Sequence, residues 1–256
     1  MINLGIIGCG AIGTDVAKAA DKMPQINRIY IFDIDKNASK NIEKITKKTE
    51  IKEVKDFLTD VDVVFEAASQ DAVNEYAKMV LKEGKDLIIM SVGSLFDKKF
   101  RKRLEEIASE KQCKIYLPSG AVCGIDGVLS ASIDVIDEVT LVTTKPPNSL
   151  GKKIEKRVIL FEGTARNAVK KFPQNINVAA SLSLAGIGFD DTKVRIVADP
   201  VVTRISHRIL AHGKFGRLRA EVTNMPNPNN PKSSYMASLS AIATLKKIVN
   251  PIQIGA

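Results

Sequence analysis

The strongest structural signal in this chain is the glycine-rich stretch Asn3-Leu-Gly-Ile-Ile-Gly-Cys-Gly-Ala-Ile-Gly13. Its apolar beginning is typical of a buried strand, and the apolar residues that follow it recur at helical spacing. The spacing G-x-G-x-x-G allows a tight turn, leaves room for a pyrophosphate and lets helix and strand pack closely. The N–H groups at the start of the helix then face phosphate. The predicted cofactor-binding residues of this turn are Gly8, Gly10, Ala11, Ile12 and Gly13.

A carboxylate follows at the end of the next apolar run, Arg28-Ile-Tyr-Ile-Phe-Asp33. Asp33 lies twenty positions after Gly13, where the acid of a dinucleotide-binding fold accepts hydrogen bonds from the adenine ribose. Alternatively, Asp33 caps the helix that is predicted to begin near Lys36. As a ribose ligand it favours NAD over NADP, because a carboxylate repels a 2′-phosphate, whereas the charge of Lys36 leaves NADP open.

Residues 1–118 alternate between strands and helices, which predicts an α/β fold with a Rossmann-type, doubly wound parallel sheet. After Asp33 the expected elements are a helix near 36–48, a short segment at 50–53, a strand at 61–65, a helix at 70–81, a strand at 85–90, a helix at 97–111 and a strand at 113–117. Ligands bind at the carboxyl ends of such strands, and small residues follow two of them. We predict that Ala67, Ala68 and Ser91 contact the cofactor; ordinary turn residues are the alternative.

The pattern changes at Pro118-Ser-Gly-Ala-Val-Cys-Gly-Ile-Asp-Gly127, where glycines accumulate and the alternation stops. We place a domain boundary here, between a dinucleotide-binding domain at 1–119 and a catalytic and oligomerisation domain at 120–232. The second domain is predicted to be α+β, with a mixed, largely antiparallel sheet. Its expected strands are 138–144, 157–161, 194–198, 202–210 and 216–222, and its expected helices are 164–171 and 177–185. A final helix within 233–256 is expected to pack back on the first domain.

The composition narrows the classes of function. A formal net charge of +9 is compatible with nucleic-acid binding, but the basic residues are mixed with acids, and no aromatic-interleaved basic stripe is visible. Three cysteines without a C-x-x-C pair argue against a disulfide framework and a structural zinc site, and no metal site is predicted. With no signal peptide and no apolar run of membrane length, we expect a cytoplasmic protein that acts on small molecules, without nucleic-acid or membrane partners.

The candidate acid–base residue is one of the two histidines, His207 and His212. They are five positions apart in an extended stretch, so a strand would place them on opposite faces, with only one facing a cleft. A dehydrogenase needs a group that manages a proton as hydride leaves, and histidine titrates in the useful range. We favour His207 for this role; a structural or surface role is the alternative, and it applies more to His212.

Motifs along nearly the full chain resemble those of the archaeal and bacterial L-aspartate dehydrogenases. The matching segments are Gly8–Gly13, Glu66-Ala-Ala-Ser-Gln70, Pro118-Ser-Gly-Ala121, Phe172-Pro-Gln-Asn-Ile-Asn-Val-Ala-Ala180, Ala198-Asp-Pro200 with His207, and Asn230-Pro-Lys-Ser-Ser-Tyr235. The resemblance implies NAD(P)-dependent oxidation of L-aspartate to iminoaspartate, or in reverse the reductive amination of oxaloacetate. Iminoaspartate would supply quinolinate and NAD biosynthesis or hydrolyse to oxaloacetate and ammonia. A homodimer is also implied, with the second domain's sheet as the expected interface.

The resemblance also carries residue roles onto this chain. It places the catalytic histidine at His207 and nicotinamide-cofactor contacts at Ala121 and Asn177. The family often has Asn two residues before this histidine and Glu directly after it, whereas this chain has Ile205 and Arg208. The resemblance therefore does not give the hydrogen bonding around His207.

L-Aspartate carries two carboxylates, which need cationic or N–H partners. The sequence offers Lys232, Ser233 at the predicted start of the last helix, Arg204 and Arg208, and it does not rank them. A neutral amine is required before hydride leaves the substrate. His207 is therefore expected to take up the ammonium proton, directly or through water.

Two other functions stay open at the level of sequence. One is a related two-domain NAD(P) oxidoreductase, such as a homoserine dehydrogenase or a dihydrodipicolinate reductase. The paired histidines of the reductase are missing, because His207 and His212 are too far apart. The other is a non-catalytic protein that senses NADH, but residues 121–256 show no pattern of a DNA- or partner-binding module.

Overall fold

The computed structural model describes residues 1–150, 153–171 and 176–255. Its contacts divide the chain into two compact units. The first comprises Met1–Pro118 and Ser238–Gln253, and the second comprises Ser119–Ala237 together with the residues from Ile254 on. Among the helices of the described ranges, none combines the length and the apolar character needed to cross a bilayer.

The first unit contains a six-stranded sheet in the order β3-β2-β1-β4-β5-β6 with every pair parallel. Its elements are β1 (Ile2–Ile7), α1 (Ala11–Asp21), β2 (Ile26–Phe32), α2 (Lys36–Glu43), β3 (Thr49–Ile51), α3 (Val54–Phe57), β4 (Val63–Glu66), α4 (Gln70–Lys82), β5 (Asp86–Ile89), a 3₁₀ helix (Val92–Phe96), α5 (Lys98–Lys111) and β6 (Ile115–Tyr116). The strand order reverses direction between β1 and β4, which is the switch point where such sheets bind ligands. The predicted Rossmann-type parallel sheet is confirmed.

Apolar residues of the central strands form the core of this unit. Leu4 and Ile6 on β1, Ile31 on β2 and Phe65 on β4 are completely buried. One boundary of α2 differs from prediction, because the helix begins at Lys36 as expected but ends at Glu43 rather than near residue 48. The alternative that Asp33 caps this helix is wrong, because its N-terminal cap is Asp35, whose side chain accepts a hydrogen bond from the N–H of Asn37.

The second unit contains a five-stranded sheet in the order β11-β10-β7-β9-β8. Its elements are α6 (Ile125–Ala131), β7 (Ile136–Lys145), a 3₁₀ helix (Pro147–Leu150), β8 (Val158–Thr164), α7 (Ala165–Lys171), α8 (Ile176–Ala185), β9 (Lys193–Ala198), β10 (Ser206–Gly213), β11 (Gly216–Thr223), β12 (Pro226–Asn227) and β13 (Asn230–Ser234). In the sheet only β7 and β9 are parallel, and the other pairs are antiparallel. The prediction of a mixed, largely antiparallel sheet is therefore confirmed.

Helix α6 lies where the sequence predicted only a glycine-rich boundary. Its glycines serve close packing of the helix on β11. A Cβ at Gly124 would lie 2.7 Å from the Cβ of Ala220, and a Cβ at Gly127 would lie 2.5 Å from the Cδ1 of Leu218. The glycine density therefore marks the contact between a helix and a strand.

The last helix, α9 (Tyr235–Val249), belongs to the first unit from Ser238 on. Within that part of the helix, Ala241 and Leu245 are completely buried. Gln25 also donates a hydrogen bond to the side chain of Asn250, just beyond the helix, at 3.3 Å. The predicted start at Ser233 was wrong, because residues 230–234 form β13 and the helix begins at Tyr235.

Candidate active site

The turn after β1 is built from glycines that have different physical tasks. Gly8 has a φ of +102°, and a Cβ there would lie 2.6 Å from backbone atoms of Ala67 and Ala68. At Gly13 a Cβ would overlap the carbonyl oxygen of Gly8. At Gly10, by contrast, a Cβ would meet no atom within 4 Å. Two of the glycines are therefore required by the fold, whereas the third leaves open space above the turn.

Helix α1 begins directly beneath this open space. No side chain caps its N-terminus, and the cap residue is Gly10 itself. The first N–H groups of a helix, here those of Ala11, Ile12 and Gly13, lack partners within the helix and carry the positive end of its dipole. An uncapped helix start next to a glycine with empty space at its Cβ position fits a pyrophosphate.

Asp33 is held at the end of β2 by bonds to the same turn. Its Oδ2 accepts a hydrogen bond from the N–H of Cys9 at 2.6 Å, and its Oδ1 accepts one from the N–H of Asp35 at 2.8 Å. A carboxylate has about four acceptor positions, so capacity for ribose hydroxyls remains. The nearby Lys36 is engaged elsewhere, since its Nζ lies 2.7 Å from Oε1 of Glu53.

The ends of β4 and β5 are joined by a buried carboxylate that the sequence analysis did not single out. Glu66 is 2% exposed and accepts hydrogen bonds from the N–H of Ala68 at 2.8 Å and from the N–H and hydroxyl of Ser91 at 3.0 and 2.8 Å. Burial raises the pKa of Glu66, and these hydrogen bonds oppose the shift. Because the Ser91 hydroxyl is directed at Glu66, it is part of the support of the crevice. Ala67 is half-buried and Ala68 is exposed next to the glycine turn.

The three cysteines differ in their environments. Cys9 and Cys113 are buried, whereas Cys123 is partly accessible. Burial raises the pKa of the Cys9 thiol to about 11, with smaller contributions from the charges of Asp33 and Asp35. Cys9 therefore stays a neutral thiol inside the turn.

In the second unit, His207 lies on β10 directly opposite Thr143 on β7. The imidazole is 6% exposed, and its Nδ1 lies 2.9 Å from Oγ1 of Thr143. Burial, and to a smaller extent the positive charge of Lys145, lower the pKa of His207 to about 4. His207 is thus a neutral, buried imidazole at neutral pH.

His212 is the contrasting histidine of the same strand. It is exposed on the other face of the sheet, where its ring nitrogens lie 3.6 Å from Asp137 and 3.9 Å from Glu138. In the ranges that the structure describes, no group of three or more His, Cys, Asp or Glu residues is arranged to hold a metal ion.

Lys145, like Glu66 in the first unit, is a candidate site residue that the sequence analysis did not single out. It ends β7 two positions beyond Thr143, on the same face, and it is 8% exposed. Burial lowers the pKa of its ammonium group. The alternation of β7 could have indicated this lysine, because it places residues 139, 141, 143 and 145 on one face. The predicted strand, however, ended at 144, one residue before it.

Comparisons with known proteins cover both units. Residues 8–118 match the family model described as homoserine dehydrogenase, NAD binding domain, and residues 126–248 match the one described as aspartate dehydrogenase, C-terminal. An L-aspartate dehydrogenase from Methanosarcina barkeri is 47% identical, and one from Nitrosopumilus maritimus is 42% identical, each over the full length of both chains. This chain belongs to the L-aspartate dehydrogenase family.

A solved structure of this family supports the assignment at the level of the fold. The aspartate dehydrogenase of Thermotoga maritima is 30% identical over the whole of both chains, with a TM-score of 0.84. The model described as homoserine dehydrogenase matches the NAD-binding unit, whereas the second unit matches the aspartate dehydrogenase model.

Arg208 occupies one of the positions where this chain departs from the aspartate dehydrogenase pattern. Arg208 lies on the opposite face of β10 from His207 and forms a two-pronged ion pair with Glu221, at 2.8 and 3.0 Å. It is therefore not a partner of His207. Arg204 is exposed in the turn before β10.

The other residues implied by the aspartate dehydrogenase resemblance lie in different parts of the second unit. Ala121 is buried, and its carbonyl oxygen accepts a hydrogen bond from the Asn224 side chain at 3.0 Å. Asn177 is exposed near the start of α8. Ser233 donates its hydroxyl to the carbonyl oxygen of Asn230 at 2.9 Å. The Lys232 side chain and residues 172–175 lie outside the described part of the chain.

Proposed function

We propose that this chain is an NAD-dependent dehydrogenase that oxidises L-aspartate to iminoaspartate, with His207 as the proton acceptor. The observation that carries the proposal is the neutral, buried imidazole of His207, hydrogen-bonded to Thr143 within the unit that matches the aspartate dehydrogenase model. Bound NAD supplies the hydride acceptor. The chain's own residues must bind the two carboxylates and remove a proton from the substrate ammonium group.

The hydrogen bond to Thr143 supports a specific protonation state of His207. When the ring donates its Nδ1–H to Oγ1 of Thr143, Nε2 is left with a free lone pair. We infer that Nε2 takes up the ammonium proton of L-aspartate, directly or through one water. The resulting neutral amine can release hydride from its α-carbon, which gives the protonated imine, and loss of a proton from its nitrogen gives iminoaspartate. Iminoaspartate then hydrolyses to oxaloacetate and ammonia or serves as a precursor of quinolinate.

The preference for NAD over NADP is supported by the charges around Asp33. Asp33 follows the end of β2 and Asp35, two positions later, caps α2, and both carboxylates would repel a 2′-phosphate at the adenine ribose. Lys36, the cation that left NADP open, is paired with Glu53. Gly8, Gly10, Ala11, Ile12 and Gly13 would hold the pyrophosphate, with Ala67 and Ala68 beside them.

The test compares the two histidines of β10. Purified wild type, His207→Asn and His212→Asn are assayed for NADH formation from NAD with L-aspartate and with L-homoserine. We expect activity with L-aspartate, a loss of roughly two or more orders of magnitude in His207→Asn with NADH binding retained, and activity of His212→Asn within about twofold of wild type.

Each failure identifies a different error. Oxidation of L-homoserine in place of L-aspartate would overturn the substrate. Full activity of His207→Asn would overturn the role of His207 and leave the dehydrogenase assignment intact. Absence of turnover in both directions, including oxaloacetate with ammonia and NADH, would overturn the proposed reaction.

A further inference from the structure

Lys145 is a buried cation that has no partner for its charge among the residues the structure describes. In the described ranges its Nζ takes part in no ion pair and no hydrogen bond, although the residue is only 8% exposed. Other basic side chains of the same sheet are paired, such as Lys193 with Glu138 at 2.9 Å and Arg208 with Glu221 at 2.8 Å. Lys145 therefore differs from the structural cations around it.

An unpaired buried ammonium group works against folding. Removing a charge from water without compensation is strongly unfavourable, and an apolar side chain of similar volume is commonly more stable at such a position. The position follows Leu141 and Thr143 on the inward face of β7, where an apolar residue would fit the pattern. A positive charge at this position therefore indicates that Lys145 pairs with an anion from outside the chain.

The place of this charge indicates which anion it would take. Thr143, two residues before Lys145 on the same face, is directly opposite His207, so Lys145 is a diagonal neighbour of the imidazole across the strand pair. Within the described residues, Lys145 is the charged group that acts on His207; no carboxylate from β7, β10 or β11 contributes. A ligand that pairs with Lys145 would have its other end within reach of His207.

We propose that Lys145 binds a carboxylate of the substrate and thereby selects a dicarboxylic amino acid beside His207. This inference rests on the proposed function. It gives Lys145 two effects. The ammonium group anchors the substrate through a charge-assisted hydrogen bond. The bound carboxylate in turn offsets the positive charge that weakens His207 as a base, so the imidazole gains basicity when the substrate is present.

The test compares Lys145→Met with Lys193→Met, a variant of a lysine that is exposed and paired on the neighbouring strand β9. Binding of succinate, a dicarboxylate that has the carbon skeleton of aspartate but no amine, is measured by calorimetry with saturating NADH. We expect the Kd of succinate and the KM of L-aspartate to rise at least tenfold in Lys145→Met, and both to stay within about twofold in Lys193→Met. NADH affinity should not change in either variant.

Thermal unfolding without ligands distinguishes this role from a structural one, because replacing a lysine that stabilises the fold would lower the Tm. Because the charge is unpaired, the Tm of Lys145→Met should equal or exceed that of wild type. A lower Tm or a failure to fold would contradict the proposal, and so would unchanged succinate affinity and KM in a folded variant. If wild type binds succinate through Lys145 but does not oxidise L-aspartate, the proposed reaction fails while the carboxylate site stands.

Discussion

Gly10→Ala and Gly13→Ala are predicted to have opposite effects, although the two glycines share one turn. Gly13 is within the first turn of α1, and a Cβ there would overlap the carbonyl oxygen of Gly8. Both groups belong to the backbone, so α1 has to move away from β1. Overpacking of this kind costs about 1–3 kcal/mol, and we expect a loss near the upper end because no flexible side chain can yield. The Tm should fall by about 5–10 °C.

Gly10→Ala should leave stability nearly unchanged. The added methyl group meets no atom within 4 Å, and a φ of −69° suits alanine. The lower entropy of the unfolded chain favours the variant by about 0.4–1 kcal/mol. The poorer capping by alanine opposes this by a similar amount, so the net change should stay within about 1 kcal/mol.

Gly10→Ala, which should barely change stability, should strongly weaken cofactor binding. Its methyl group would occupy the space above the start of α1, where the pyrophosphate is expected, so phosphate hydrogen bonds worth about 1.5–3 kcal/mol are lost. The Kd of NADH, followed by its fluorescence, should therefore rise at least tenfold. Unchanged NADH affinity in Gly10→Ala would refute the placement of the pyrophosphate. A Tm of Gly13→Ala within 1 °C or so of wild type would refute the packing argument.

Three further perturbations test other parts of the molecule. Asp33→Ser removes the repulsion of a 2′-phosphate, so the ratio of kcat/KM for NADP over NAD should rise at least tenfold in steady-state assays; a constant ratio would contradict the ribose role. Glu66→Gln turns an amide NH₂ towards the donors of Ser91 and Ala68, and urea unfolding should show a loss of about 1–3 kcal/mol. The folded-state pKa of His207 is lowered to about 4 from 6.5. The unfolded state therefore binds the proton first, and stability falls by about 3 kcal/mol as the pH drops through this window. Urea unfolding of His207→Asn should show a correspondingly shallower pH dependence, and equal slopes would contradict the shift.

The first unit could be predicted closely because its central strands are short, largely buried apolar runs separated by helices. Helix α4 was expected at 70–81 and runs over Gln70–Lys82. The glycine turn and the position of Asp33 at the end of β2 follow from the glycine spacing together with the strand–helix–strand pattern around it. The burial of Glu66 was not, because a carboxylate at a strand end has the same local pattern whether it faces solvent or the backbone of a neighbouring strand.

The second unit was harder to predict because its important contacts are between distant residues. Thr143 and His207 are 64 positions apart and meet only through the register of β7 and β10. Lysine is usually a surface residue, and the burial of Lys145 becomes evident only from its place in the sheet. Helix α6 was missed because local glycine content favours a turn, whereas Gly124, at the N-terminal cap of the helix, and Gly127, within it, pack against β11.

The unequal environments of the three thiols give this protein a single site for chemical labelling in its native state. Alkylating reagents attack the thiolate, and a thiol whose pKa is raised to about 11 leaves well under a thousandth of Cys9 in that form at pH 7. Cys113 is buried as well, so Cys123 should react first with a maleimide dye. A fluorophore could thus be attached at the beginning of the second unit while the dinucleotide turn stays unmodified, which would allow substrate binding to be followed optically in the active protein.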